Sequence, residues 1–128
     1  MYCKVSNIAL SLQKNKRIMI ENLRSQMKKG LLEYCILLIL QYEPMYATEI
    51  LECLKAAKLV VVEGTLYPLL SRLKNADILT YYWQESPAGP PRKYFKITTQ
   101  GELLLQELEK EWGTMQNTIQ SLHEKNNE

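Results

Sequence analysis

The chain has 128 residues, 46% of them apolar and 23% charged, the size and composition of one folded domain, which excludes wholesale disorder. Sixteen basic and fourteen acidic side chains leave a net charge of +2, so bulk charge does not announce a polyanion partner. One histidine and three cysteines, at positions 3, 35 and 53, offer no ligand spacing for a metal and no Ser-His-Asp triad, so neither a metal nor a cofactor is expected.

In chain order, residues 1–18 lack firm periodicity and read as a loose, poorly ordered basic arm, with Met19 as a second possible start. Ile20, Leu23, Met27 and Leu31 then recur at helical intervals. Gly30 is expected to open a second helix, Leu31 to Gln41, apolar nearly all round and hence the most buried element. Tyr42-Glu43-Pro44 ends it, because proline disfavours helix in the residue before it. A third helix is predicted from Thr48, as N-cap, to about Ala57, with Ile50, Leu51 and Leu54 inward. Leu59 to Val62 is β-branched and reads as extended. A fourth helix covers roughly Glu63 to Asn75, with Leu66, Leu69, Leu70 and Leu73 inward and regular geometry beginning near Thr65 because of Pro68.

Two strands follow, Ile78 to Gln84 and Arg92 to Thr98, joined by the turn-rich Glu85–Pro91. Phe95 and Ile97 share one face of the second strand and Tyr94 takes the other. The last helix is predicted from Thr99, where Thr99-Gln-Gly-Glu102 has the form of a capping box. Along it Leu105, Leu108, Trp112, Met115, Ile119 and Leu122 alternate steps of three and four, the pattern of a coiled-coil seam. That row is read as a homodimer interface, with packing on the N-terminal helix as the other reading. Residues 124–128 form a tail.

The architecture expected is mainly α with a small β-hairpin (α+β). Residues 19–98 make a winged helix-turn-helix with an N-terminal helix, and 99–123 a C-terminal dimerisation helix. Charge is uneven along the chain: +6 over the first thirty residues, zero over 31–98 and −4 over the last thirty. The apolar run Cys35 to Leu40 falls far short of the ~18 residues a membrane span needs. No signal-peptide core is present, and reduced thiols fit a cytoplasm.

In a winged helix the last helix of the trio enters the major groove and the hairpin reaches a neighbouring groove or the backbone. The outward side chains of the fourth helix are Thr65, Tyr67, Ser71, Arg72 and Lys74, all hydrogen-bond donors. Arg92, Lys93 and Lys96 make the return strand basic. Each could be a solvated surface charge; together they point to double-stranded DNA.

Gly64-Thr-Leu-Tyr-Pro-Leu-Leu-Ser-Arg-Leu73, followed by Gly89-Pro-Pro-Arg-Lys-Tyr-Phe-Lys-Ile-Thr98, resembles the PadR family of bacterial transcriptional regulators, and the single C-terminal helix resembles its small subfamily. The resemblance covers about Lys29 to Leu122. It implies a homodimeric cytoplasmic repressor on palindromic promoter DNA, with recognition residues at Thr65, Tyr67 and Arg72 and a wing at Pro90 to Tyr94. Where the family often carries Tyr-Gly-Tyr-Glu, this chain has Tyr46-Ala-Thr-Glu49; Thr48 keeps a hydroxyl but is shorter than tyrosine, so a phosphate contact made there in the family would pass to Tyr46. In small multidrug-sensing relatives a tryptophan on the last helix stacks on planar drugs at the dimer centre. Trp112 matches that place, which implies a planar hydrophobic effector walled by Trp112, Met115, Leu108 and Leu23 or Met27. Other classes weighed are a winged-helix module that binds protein, an enzyme, and a redox sensor built on Cys35 and Cys53.

Overall fold

The structure is a computed structural model that describes residues 2–126, with side chains described for 6–125. The chain divides into two compact units, Met1–Glu33 and Tyr34–Glu128.

The first unit consists of the greater part of helix α1, which spans Tyr2–Leu40. This corrects two expectations. The stretch read as a loose arm is helical from Tyr2, and Gly30 lies inside a helix instead of opening one. A single glycine costs a helix only about 1 kcal/mol relative to alanine, too little to end one flanked by good helix formers. Within this unit Ile8, Leu12, Met19, Leu23 and Met27 are exposed.

The second unit begins with Tyr34–Leu40, the end of α1, and continues through strand β1 (Met45–Tyr46), helix α2 (Ala47–Ala56), helix α3 (Glu63–Asn75), strands β2 (Leu79–Ser86) and β3 (Gly89–Ile97), and helix α4 (Thr99–Asn126). The sheet is antiparallel with order β1-β3-β2. One contiguous core joins every element of this unit. It holds Ile36, Leu37 and Leu40 of α1, Ile50 and Leu54 of α2, Leu66, Leu70 and Leu73 of α3, Leu79, Phe95 and Ile97 of the sheet, and Leu105 of α4. The helical periods of α2 and α3 and the alternation of β3 thus fall where the sequence put them.

Several boundaries differ from expectation. β1 was not anticipated; its two residues pair with Phe95 and Tyr94. Tyr46, not Thr48, is the N-cap of α2, and it caps with no side-chain hydrogen bond. Helix α3 begins at Glu63 and carries Pro68 inside it. Residues 59–62 form no strand, although Val62 is extended as the N-cap of α3. The hairpin strands run closer to the tip than expected, with an irregularity between Gln84 and Ser86 opposite Pro90 and Pro91. Proline lacks the N–H a ladder needs, so bulges are where strands tolerate it.

The start of α4 is set by Thr98, one residue before the predicted cap. Its hydroxyl accepts from the Gly101 N–H at 3.0 Å and lies 2.6 Å from the Asp77 carbonyl, to which it donates. A side chain at Gly101 would collide with the Ile78 carbonyl and the Ile97 Cγ1. The sheet therefore fixes this helix start by close backbone approach. The tail reading falls in part on residues 127 and 128, which lie outside the described residues. Among the described residues no helix is long and apolar enough to cross a membrane.

Candidate nucleic-acid interface

Three elements of the second unit meet at a groove of about 320 Å³, lined by Tyr46, Ala47, Thr48, Tyr67, Trp83, Arg92, Lys93 and Phe95. The start of α2 supplies Tyr46 and Thr48, α3 supplies Tyr67, and the hairpin supplies the rest. The structure thus brings together five residues singled out from sequence: Tyr46, Thr48, Tyr67, Arg92 and Lys93. Thr65, Ser71, Arg72 and Lys74 are exposed on α3 but do not line the groove.

The cross-strand register explains how the hairpin sorts its side chains. Tyr46, Tyr94 and Tyr82 stand opposite one another across the three strands. Tyr94 stacks on Tyr82 with ring centres 5.7 Å apart and meets the Tyr46 ring edge-on at 5.4 Å. The Arg92 guanidinium lies 4.6 Å from the centre of the Tyr46 ring, a cation–π contact that holds the charge at the groove. Because strand faces alternate, Lys93 falls on the face of Phe95. Its ammonium lies 3.9 Å from the centre of the Tyr81 ring and 5.4 Å from that of Phe95. Lys74 of α3 reaches the same Tyr81 ring at 5.6 Å. The wing's two cations are thus held on different faces of the sheet.

An acid stands nearby. Glu49, in the first turn of α2, has its carboxyl pushed above the usual range, chiefly by burial and then by the Glu43 charge, while the Arg92 charge opposes the shift. No side chain caps the N–H groups at the start of α2.

Trp83, with 63% of its surface exposed, was not singled out from sequence. The signal was its register: it stands directly across from Lys93, so both belong to one face. Tyr81 escaped for the same reason.

On α4 the predicted seam divides. Leu105 is only 4% exposed and Leu108 packs against the core of its own chain. Trp112 is half-buried, whereas Met115, Ile119 and Leu122 are each more than half exposed. Leu23 and Met27, the expected partners of Trp112 in a ligand wall, are exposed on α1 of the other unit. Among the described residues no group of three or more His, Cys, Asp and Glu could hold a metal. Cys35 and Cys53 are free thiols; burial pushes the Cys35 thiol up, which opposes thiolate formation.

The model of the transcriptional regulator PadR-like family matches residues 36–107. The chain is 57% identical to a PadR-like transcription factor from Bacteroides fragilis of known structure, covering 79% of this chain and 98% of that one, with a TM-score of 0.69. A PadR-like transcriptional regulator from Bacillus cereus is 38% identical, over 76% of this chain and 95% of the other, with a TM-score of 0.67. An uncharacterized protein of Lysinibacillus sphaericus is 30% identical over 75% of this chain and 91% of its own length.

Proposed function

Since the chain belongs to the PadR-like family of transcriptional regulators, DNA-binding proteins and not enzymes, we propose that it works as a homodimeric repressor on a palindromic promoter operator in the bacterial cytoplasm. What supports the reading most is the groove. The start of α2, helix α3 and the wing converge there with Arg92 and Lys93 among its lining and the hydroxyls of Thr48 and Tyr67 beside them. Arg92, Lys93 and Lys74 grip phosphates, and Thr65, Tyr67, Ser71 and Arg72 meet the major groove. Phosphate contacts supply most of the affinity and make it fall with salt. Two copies joined through the exposed row of α4 would present their α3 helices to half-sites about one helical turn, ~34–36 Å, apart.

The test is titration of promoter DNA with the Arg92→Ala, Lys93→Ala double variant. Affinity should fall, and the slope of log K against log salt should shrink by about 0.9 for each phosphate no longer neutralised. Unchanged affinity and slope would remove the wing from the interface.

The same α4 row supports an effector role for Trp112, whose half-buried indole is followed one turn on by exposed Met115. A planar apolar ligand stacked there derepresses by binding the off-DNA dimer better than the DNA-bound one. In a Trp83→Phe background such a ligand should quench the fluorescence of Trp112 and weaken operator binding. Quenching with no change in operator affinity would rule out the regulatory role.

A further inference from the structure

The contacts of Tyr81 carry a more specific assignment, resting on the DNA-binding reading above. Two ammonium groups from different elements converge on its one ring. Lys93 of the wing lies 3.9 Å from the ring centre and Lys74, in the last turn of α3, lies 5.6 Å from it. Among the described residues neither ammonium has a carboxylate within ion-pair distance. Like charges held at one ring repel, and the ring's negative π-face offsets part of that repulsion. The negative end of α3 adds to the hold on Lys74.

Tyr81 is itself fixed. It is half-buried in β2, tilted against buried Phe95 at 6.2 Å and edge-on to Trp83 at 6.5 Å. A flexible lysine on a strand and another on a helix are thereby given one shared, rigid platform. The natural complement of two such ammoniums is a single anionic group with several acceptor oxygens.

We propose that Tyr81 is a positioning residue that seats Lys74 and Lys93 as one clamp for a single DNA phosphate, tying the register of the wing to that of α3. Tyr81 need not touch DNA; it acts through the two lysines.

The test uses the full chain and a labelled mixed-sequence duplex of about 30 base pairs, long enough for two half-sites. Tyr81→Phe keeps the ring and should bind as wild type, whereas Tyr81→Leu should weaken binding about fivefold at low salt. In a Lys74→Met, Lys93→Met background the same Tyr81→Leu change should do nothing further. An equal loss in both backgrounds would mark Tyr81 as a structural residue of the wing and overturn the proposal. So would Tyr81→Leu binding at the wild-type level.

The lysines give a second, independent readout if Tyr81→Leu does not fold. One shared phosphate means that Lys93→Met alone leaves the salt slope nearly unchanged, because Lys74 still neutralises that phosphate, and that adding Lys74→Met shrinks it by about 0.9 per protomer. A reduction with Lys93→Met alone that doubles on adding Lys74→Met would show two separate phosphates and sink the clamp. Arg92→Ala, away from this ring, serves as the control. If it weakens binding while the Tyr81 and lysine variants behave independently, only the clamp fails. If the wild-type chain does not retain the duplex, the DNA-binding reading fails with it.

Discussion

Thr98 shows how one side chain can join a wing to the helix that follows it. Its hydroxyl satisfies the Gly101 N–H and bonds back to the turn after α3. Replacing it with alanine removes a cap and a donor together, so Thr98→Ala should lower stability by about 1–2 kcal/mol in urea unfolding. Two adjacent threonines made the cap ambiguous in the sequence. Glu102 favoured the second, but the close backbone approach at Gly101, invisible without the fold, selects the first. Glu49 yields a pH prediction. Its folded carboxyl titrates above the unfolded one, so the unfolded chain loses its proton first and stability falls as pH rises through that window. Glu49→Gln should therefore be more stable than wild type at pH 7, with the gap closing below about pH 4, the ordinary carboxylate range. The same change removes a negative neighbour of Arg92 and should raise DNA affinity, which a parallel binding titration checks.

At the scale of elements, α2 and α3 end alike. In α2 the Leu59 N–H bonds the Leu54 carbonyl at 2.8 Å and the Lys58 N–H bonds that of Lys55 at 2.9 Å. In α3 the Ile78 N–H bonds Leu73 at 2.9 Å and the Asp77 N–H bonds Lys74 at 3.0 Å. These are Schellman endings, with Leu59 and Ile78 packed on the core as their apolar closures. The left-handed residue is Lys58 at φ 69° in one and Asp77 at φ 61° in the other. Neither is glycine, so each holds a conformation that costs side-chain-bearing residues about 1–2 kcal/mol. Lys58→Gly and Asp77→Gly should each raise stability by about 0.5–1 kcal/mol after glycine's extra unfolded entropy is subtracted. The gain should be smaller for aspartate, which tolerates this region, and thermal unfolding of the two variants measures both. These endings were hard to read because the usual glycine is missing. The inward rows Ile50, Leu54 and Leu66, Leu70, Leu73 were legible because burial imposes the helical period directly. β1 was not, since two residues carry no period at all. The groove was half legible: its cations stood out, while Trp83 and Tyr81 required the hairpin register.

For the whole molecule, the proposed homodimer rests on the row along α4. Alternating threes and fours run unbroken from Leu105 to Leu122, so the pattern cannot tell which positions pack on the helix's own core. Burial draws that line: Leu105 is 4% exposed and Met115 54%. The paired substitution Met115→Glu, Ile119→Glu, both at exposed positions, should leave the chain folded but make it monomeric in sedimentation equilibrium. DNA affinity should collapse with it, because two linked heads lose the effective concentration that links them.

Pro68 has one consequence for the opening of α3. It offers no N–H to the Gly64 carbonyl four residues earlier, while the Thr65 and Leu66 amides bond Val62 at 3.0 and 3.2 Å and Leu66 is buried. The turn that carries Thr65 and Tyr67 thus lacks one backbone bond that the turns behind it can make. Amide exchange should be quicker in that turn than in the turns after Pro68, and equal protection in both would show that buried Leu66 makes up for the missing bond.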